Sequence, residues 1–204
     1  GARYELIGVS ALYLLYVSLA LRRSHAEYLQ RLDLEDELRQ QRDLFQQQSR
    51  RDGLTGLANR RRFSSALEDW SAQARSNGRP LSLLILDLDH FKAINDQHGH
   101  ARGDACLRAL ADMLRPRIDR AGDILARYGG EEFVIALTGV DQAGALALAE
   151  ELRKAIDRLR VEFDGKPLRF TASFGVVSAI PEGSLGLEDL VAAADHALYA
   201  AKHD

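Results

Sequence analysis

Apolar and polar positions divide the chain into a continuous N-terminal segment and a mixed domain that begins near residue 51. In the domain, short apolar runs typical of buried strands alternate with amphipathic segments bounded by Asn, Asp, Gly or Pro. The pattern predicts strands at 81–88, 124–128, 132–137 and 168–178, the last pairing with 161–163, and helices at 59–77, 103–118 with a bend at Pro116, 141–159 and 187–202. From residue 81 onward the order of elements is βαββαβα.

This order contains a split βαβ unit and predicts an α+β domain with a mainly antiparallel sheet. In such a unit the first and second strands are parallel, and the third lies between them, antiparallel to both. The end of the first strand, with Asp87, must then lie beside the start of the third, with Glu131 and Glu132. Carboxylates that are far apart in sequence therefore converge.

Residues 6–21 carry no charge and lie between Glu5 and Arg22-Arg23. The run is slightly shorter than the ~20 residues that span a bilayer. Tyrosines suit the membrane interface, however, and the two arginines favour a cytoplasmic position for the following domain. We interpret residues 1–21 as the end of a transmembrane helix that anchors a cytoplasmic domain at the inner cell membrane. The alternative is a helix that dimerises or packs against a partner.

Residues 22–50 predict one long helix, because the stretch up to residue 48 has no Gly or Pro and is rich in Leu, Glu, Gln and Arg. Apolar or semi-apolar positions step by four and three in two sets that are out of phase with each other. The sets are Leu21, His25, Tyr28 and Leu32, then Leu34, Leu38, Gln41 and Phe45. A stutter in a parallel signalling coiled coil is the preferred interpretation. An amphipathic helix that packs on its own domain is the alternative.

Charge and cysteine content exclude some classes of protein. The 27 Lys and Arg oppose 30 Asp and Glu, and the formal net charge of -3 gives no electrostatic argument for a nucleic-acid partner. The single cysteine, Cys106, shares an apolar pattern with Leu107, Leu110 and Met113, which indicates a core residue rather than a reactive thiol. Since no internal disulfide can form, a reducing compartment fits best.

The pair Gly129-Gly130 is weak evidence for function by itself, since two-residue hairpins use Gly-Gly for its positive φ angles. Glu131 and Glu132 follow it directly, however, and Asp87 interrupts an apolar run. An unpaired buried carboxylate is unfavourable, whereas Mg²⁺ is typically held by one or two carboxylates and substrate phosphates. Because successive strand residues face opposite sides, one glutamate is the predicted ligand, and the other flanks the substrate or packs elsewhere.

The segment His90-Phe91-Lys92 follows the strand that carries Asp87 and marks the start of a helix. Free backbone N–H groups at such a start, together with a lysine, can bind phosphate oxygens. The alternative for Lys92 is a solvated charge.

A second polar group, Asn95, His100 and Asp104, surrounds a Gly-rich stretch. Asp104 either caps the helix expected after Gly103 or binds a base. A carboxylate accepts the two adjacent N–H donors on the pairing edge of guanine, which adenine does not offer. Such a site discriminates strongly, because the wrong base leaves a buried acceptor unpaired.

Five motifs in a fixed order carry a family resemblance. They are Asp52 to Arg61 (DGLTGLANRR), Leu86 to Asp96 (LDLDHFKAIND), His98 to Asp104 (HGHARGD), Arg127 to Val134 (RYGGEEFV) and Thr171 to Val177 (TASFGVV). Together they resemble the GGDEF family of diguanylate cyclases, over the chain from about Asp52 to its end. The resemblance implies a nucleotidyl cyclase domain of ferredoxin-like, polymerase-palm-like fold that condenses two GTP into cyclic di-GMP and two pyrophosphates with magnesium or manganese.

The resemblance also implies a role for each matching position. Two metal ions per active site would be bound by Asp87, the Leu88 carbonyl and Glu131. Glu131 and its neighbour Glu132 would be the catalytic residues, with Glu131 as the general base. The positions that bind GTP would be Asn95, Asp104 and His100 for guanine, and His90, Phe91, Lys92, Gly129 and Lys202 for the phosphates.

One domain holds one GTP, so a product with two-fold symmetry requires two domains face to face. We therefore expect a homodimer formed through the N-terminal helix. The segment from Arg120 to Asp123 matches the family's inhibitory RxxD motif, where a bound dimer of the product would cross-link two domains. In the family a second arginine joins this site, and Arg153 is a candidate.

The chain departs from the family at its end, because the Gly-Arg pair that usually follows the position of Lys202 is absent. With the start at Gly1, this leads us to expect a fragment of a longer protein. The alternative function is a catalytically silent domain that senses cyclic di-GMP through Arg120 and Asp123. The complete set of metal and base positions argues against that alternative.

Overall fold

The computed structural model describes residues 21–25, 50–163, 165–180 and 187–203, and it divides the chain into two units, residues 1–49 and 50–204. Residues 21–25 of the first unit are helical. The expected membrane segment, 6–21, and the expected coiled coil, 22–50, otherwise lie outside the described residues. Within the described ranges, no helix is long and apolar enough to cross a membrane.

Strands and helices alternate along the described part of the second unit. The strands are Ala58–Asn59 (β1), Leu81–Leu88 (β2), Ile124–Gly129 (β3), Glu132–Thr138 (β4), Val161–Phe163 (β5), Lys166–Leu168 (β6) and Ala172–Ala179 (β7). The helices are Arg60–Asn77 (α1), Phe91–His98 (α2), His100–Leu114 (α3), Gln142–Arg158 (α4) and Leu187–Ala201 (α5). A 3₁₀ turn at Arg115–Arg117 follows α3 and contains Pro116, where the bend was expected.

The main sheet has five strands in the order β1-β3-β4-β2-β7. β4 lies between β2 and β3 and is antiparallel to both, which confirms the split βαβ unit and the mainly antiparallel sheet. β1 is a short strand, parallel to β3, that the sequence pattern did not predict. The register places Asp87 of β2 opposite Glu132 of β4.

Two hydrophobic layers cover the two faces of this sheet. All eight residues of β2 are buried, and because side chains alternate along a strand, they divide between the layers. Leu84, Leu86 and Leu88 pack in a layer with residues of α2, α3 and α4. Leu83 and Ile85 pack in the other layer, with α1 and α5. The sequence of β2 is therefore almost entirely apolar, because this interior strand is covered on both faces.

Cys106 lies in the first layer and is 0% exposed, as predicted for a core residue. Burial raises the pKa of its thiol to about 11, so the thiolate is disfavoured at neutral pH.

The predicted helix ends at three sites are confirmed by their capping contacts. Asn59 caps α1 by accepting the Arg62 N–H at 3.1 Å, and Asp141 caps α4 by accepting the Gly144 N–H at 2.9 Å. Gly78 ends α1 with φ 61°, in the left-handed region that favours glycine.

The helix predicted from residue 103 begins at His100 instead, and a separate helix, α2, precedes it. Gly99 alone separates the two helices, and its φ of 83° lies in the region that favours glycine. Asp104 therefore lies inside α3, and the interpretation of Asp104 as a helix cap is wrong.

The strand predicted at 168–178 is two strands in the structure. β6 ends at Leu168 and pairs with β5 in a separate two-stranded sheet, whereas β7 begins at Ala172 and pairs with β2. The expected pairing with 161–163 thus holds for the first part only. Apolar and polar residues keep alternating through 169–171, so the pattern does not reveal that the chain passes from one sheet to the other there.

Gly175 of β7 provides a test of the packing of α5 on the sheet. A Cβ at this position would overlap the carbonyl oxygen of Ala194 and lie 2.5 Å from the backbone nitrogen of Leu198. Backbone atoms cannot rotate away, so we expect Gly175→Ala to lower the free energy of unfolding by about 1–3 kcal/mol or more, measured by urea denaturation.

Gly53→Ala is the matched control, because a Cβ there meets no atom within 4 Å. It should change the free energy of unfolding by less than about 0.5 kcal/mol. Equal values for the two variants would contradict the close contact between α5 and β7.

Candidate active site

Carboxylates and one lysine meet at the ends of β2 and β4. Asp87 continues the row of Leu83 and Ile85, so its side chain faces the layer formed by α1 and α5, and the residue is only 8% exposed. The ammonium group of Lys202, which follows α5, lies 2.7 Å from Asp87 Oδ1. The predicted convergence of Asp87 with the glutamates is confirmed, and Lys202 joins it from the far end of the sequence.

Negative charge exceeds positive charge at this end of the sheet. Burial raises the pKa of Glu132, and the charges of Asp87, Asp195 and Glu131 raise it further, while Lys202 acts in the opposite direction. Glu132 also borders a cavity of about 550 Å³. Since like charges outnumber the nearby cation, an added cation would stabilise the ionised carboxylates.

The donor groups fit a magnesium ion, which binds hard oxygen atoms and often takes only one or two carboxylates from the protein. In the ranges that the structure describes, no group of three or more His, Cys, Asp or Glu side chains is arranged to hold a metal by itself. An ion bound by Asp87 and Glu131 would therefore need the neighbouring Leu88 carbonyl and substrate oxygens to complete its coordination.

Arg127 fastens the Gly-Gly turn between β3 and β4. Its Nε and Nη2 donate to the Gly130 carbonyl at 2.9 and 2.7 Å, and its Nη1 donates to both carboxylate oxygens of Asp52 at 3.2 and 3.3 Å. Asp52 also accepts from the backbone N–H and the hydroxyl of Thr55, at 2.8 and 2.7 Å. The turn that carries Glu131 is thus tied to the first residues of the second unit.

The sequence interpretation gave no role to Arg127. Its position two residues before Gly129 was the available signal, because a guanidinium can reach the carbonyl groups of a nearby turn. The distant partner, Asp52, is visible only in the structure.

The loop from β2 to α2 presents backbone N–H groups at the start of a helix. His90 precedes α2 with φ 56° and caps it without a side-chain hydrogen bond. Phe91 is buried in the core, while His90 and Lys92 are exposed. The His90 side chain does not cap the first N–H groups of α2, and phosphate binding by these groups stays a prediction.

At the crossing of α2 with α3, Asn95 lies against Gly103, the residue before Asp104. A Cβ at Gly103 would overlap Oδ1 of Asn95, so only glycine allows this approach. Asp104 follows Gly103 and is half exposed, with Arg108 Nη2 at 3.9 Å. His100 is exposed in the first turn of α3. Asp104 is open to a ligand, and its role in base recognition stays a prediction.

The segment Arg120 to Asp123 forms a turn in which the two end residues differ. The Asp123 side chain is 3% exposed and accepts the Thr138 N–H at 3.2 Å, whereas the Arg120 side chain is 65% exposed and lies 3.8 Å from Asp123 Oδ2. Burial raises the pKa of Asp123. Arg153, the suggested partner, binds Glu150 on its own helix through Nε and Nη2 at 2.7 and 3.0 Å.

Comparison with known proteins identifies the family. The family model "Diguanylate cyclase, GGDEF domain" matches residues 49–204. The chain belongs to the GGDEF domain family. It is 44% identical over 151 residues to diguanylate cyclase DgcP of Pseudomonas aeruginosa, an alignment that covers 74% of this chain and 22% of DgcP. The chain therefore spans about a fifth of the length of that relative.

Solved GGDEF domains share the fold. The GGDEF domain of DgcB from Caulobacter crescentus, determined in complex with c-di-GMP, matches with a TM-score of 0.71 and 34% identity over 76% of this chain and 88% of that one. The active GGEEF domain of a diguanylate cyclase from Vibrio cholerae matches with a TM-score of 0.66 and 33% identity over 72% of this chain and 92% of that one.

Removing the carboxylate of Asp52 tests the fastening of the Gly-Gly turn in this GGDEF domain. Burial raises the pKa of Asp52, but the hydrogen bonds from Thr55 and Arg127 outweigh it, and the pKa lies below its ordinary value. A lowered folded-state pKa contributes stability that is present above the unfolded pKa of ~3.9 and is lost as the pH falls through the folded pKa. We expect Asp52→Asn to lower the free energy of unfolding by about 1–3 kcal/mol at pH 7.

The difference from the unsubstituted chain should be constant above about pH 5 and should shrink as the pH falls below ~4, in urea unfolding at a series of pH values. Asp69→Asn, at an exposed site in α1, is the control and should show neither effect. A pH-independent loss in Asp52→Asn would contradict the role given to its charge.

Proposed function

We propose that this GGDEF domain is a diguanylate cyclase, which condenses two GTP molecules into one cyclic di-GMP and releases two pyrophosphates. The observation that carries the proposal is the pairing of Asp87 with Glu132 directly beside the fastened turn that holds Glu131. The Vibrio cholerae domain, described as active, is a GGEEF domain, and residues 129–133 of this chain have the same sequence, GGEEF.

In the proposed reaction, the ribose 3′-hydroxyl oxygen of each GTP attacks the α-phosphorus of the other. A phosphodiester bond forms, the bond to the pyrophosphate leaving group breaks, and Glu131 accepts the hydroxyl proton as general base. Asp87, the Leu88 carbonyl and Glu131 would hold two magnesium or manganese ions. When bound, these ions supply charge neutralisation at the triphosphate and lower the pKa of the attacking hydroxyl.

GTP would lie across the ends of α2 and α3 and the end of the sheet. Asn95 and Asp104 would bind guanine beside His100, because Asp104 is half exposed at the α2–α3 crossing. The backbone amides of His90 and Phe91 would bind phosphate oxygens. Lys92, Gly129 and Lys202 would complete the phosphate-binding set. Lys202 already contacts Asp87, so the same ammonium would lie between the metal-binding carboxylate and the phosphates.

Each domain holds one GTP, so turnover requires two copies of the chain, and we propose a homodimer formed through the N-terminal helix. The spacing by four and three of apolar positions between Leu21 and Phe45 supports this assembly. Attachment to a membrane through residues 6–21 is proposed from the uncharged run alone.

Incubation of the chain with GTP and Mg²⁺, followed by chromatographic separation of the products, tests the activity. We expect cyclic di-GMP and pyrophosphate, and no cyclic product from ATP. Glu131→Gln removes the proton acceptor and should lower kcat by about 10²–10⁴-fold, while binding of a fluorescent GTP analogue persists.

Glu151→Gln, at an exposed site on α4, is the matched control and should retain full activity. A dimeric chain that binds cyclic di-GMP but forms no dinucleotide from GTP would favour the alternative, a catalytically silent sensor.

Product inhibition is proposed at the Arg120–Asp123 turn, because Arg120 is exposed while Asp123 is held in place by Thr138. We expect Arg120→Ala to weaken inhibition by cyclic di-GMP at least about tenfold, the equivalent of one hydrogen bond to a charged group. Progress curves with added product measure it. Asp123→Ala would be ambiguous, since it also removes the bond to Thr138.

Arg117→Ala is the control for this experiment, because Arg117 is an exposed arginine three residues away that donates to the Met113 carbonyl at 2.6 Å. Inhibition of the Arg117→Ala variant by cyclic di-GMP should match that of the unsubstituted chain. Unchanged inhibition in Arg120→Ala would count against an inhibitory site at this turn.

A further inference from the structure

Asp89 is attached by three hydrogen bonds to Thr171, directly before β7, and to Ser173 within β7. Its Oδ2 accepts from the hydroxyl of Thr171 at 2.6 Å, and its Oδ1 accepts from the hydroxyl of Ser173 at 2.7 Å. Its backbone N–H donates to the Thr171 carbonyl at 3.0 Å. Both carboxylate oxygens and the amide therefore bind one short segment, residues 171–173, at the start of the neighbouring strand.

These bonds act where the regular sheet ends. The pairing of β2 with β7 extends to Leu88, opposite Ala172, and β7 is the last strand in the order of the main sheet. Asp89 continues the attachment one residue beyond the ladder. The Leu88 carbonyl is thus flanked by a residue that is fixed through its side chain as well as its backbone.

The next residue, His90, has an unusual backbone conformation. Among the described residues it is the only non-glycine residue with a positive φ, 56°. Such a conformation is unfavourable for a residue with a Cβ and persists where the surroundings over-determine it. Asp89 fixes the chain before His90, and the bond from the Ile94 N–H to the His90 carbonyl, at 3.2 Å, fixes it afterwards.

We infer that Asp89 is a positioning residue, which acts through Thr171 and Ser173 to orient the Leu88 carbonyl for the metal and the His90 and Phe91 amides for phosphate. The inference rests on the proposed function, which assigns those backbone groups. Asp89 is not itself assigned as a ligand, because the hydroxyl groups of Thr171 and Ser173 already donate to both of its oxygens at short distances. Residues that orient ligands in this way affect metal binding without contacting the metal.

The double variant Thr171→Val with Ser173→Ala tests this role. It removes both hydroxyl donors, keeps Asp89 and the proposed ligands intact, and changes little volume. We expect the Mg²⁺ concentration for half-maximal activity to rise by about 10–100-fold and kcat to fall. Discrimination of GTP from ATP should be unchanged, because the base is bound at the α2–α3 crossing.

Two controls separate positioning from a general loss of structure. Thr171→Ser with Ser173→Thr keeps both hydroxyl groups and should restore the normal Mg²⁺ dependence. Ser178→Ala removes a hydroxyl near the other end of β7, where it donates to the Val140 carbonyl at 3.4 Å, and should leave the Mg²⁺ dependence unchanged. Normal Mg²⁺ dependence in the Val/Ala variant, or an equal shift in Ser178→Ala, would overturn the inference.

Amide hydrogen exchange at residues 88–92, measured without nucleotide or metal, provides a readout that does not depend on activity. It should be faster in the Val/Ala variant than in the unsubstituted chain and in Ser178→Ala. If the unsubstituted chain forms no cyclic di-GMP, the proposed function fails, while faster exchange still supports the attachment of the loop by Asp89. Unchanged exchange would reject it.

Discussion

Repulsion between the carboxylates at the end of β2 and β4 is the constraint on which the rest of the site depends. Antiparallel pairing forces Asp87 and Glu132 to lie opposite each other, and their charges raise the free energy of the fold unless a cation is near. Lys202 provides part of that compensation, and it reaches Asp87 because α5 packs against β7 and β2. The close packing at Gly175 therefore helps to place Lys202 beside Asp87.

Carboxylates outside the acidic group of Asp87, Glu131 and Glu132 hold turns and loops in place through hydrogen bonds. Asp52 binds Arg127, which holds the Gly-Gly turn. Asp123 accepts the Thr138 N–H and holds the turn that presents Arg120. Asp89 accepts from two hydroxyl groups at the start of β7, one in the strand and one directly before it. Each is at least partly buried and satisfied by donors from a distant segment, which offsets the unfavourable burial of charge. The loops around the site are thus ordered by polar contacts as well as by the hydrophobic layers.

The two hydrophobic layers contribute different halves of the proposed chemistry. Asp87 faces the layer of α1 and α5, together with Lys202. The phosphate loop and the α2–α3 crossing belong to the opposite layer, where Phe91 anchors the start of α2. The proposed ligand groups from both layers lie near one end of the sheet, so a nucleotide bound there, as proposed, would contact carboxylates, backbone amides and the base-binding side chains together.

The sequence by itself determined the strands that contain Asp87 and the glutamates, the split βαβ topology and hence the meeting of these carboxylates, because strands and their alternation follow from local apolar patterns. It also determined the helix ends at Asn59, Gly78 and Asp141, where capping is a local interaction. Tertiary structure alone decided the break between β6 and β7, the start of α3 at His100, and the partners of Arg127, Asp89 and Lys202. Those depend on contacts between residues far apart in sequence, for which a local pattern of polarity carries no signal.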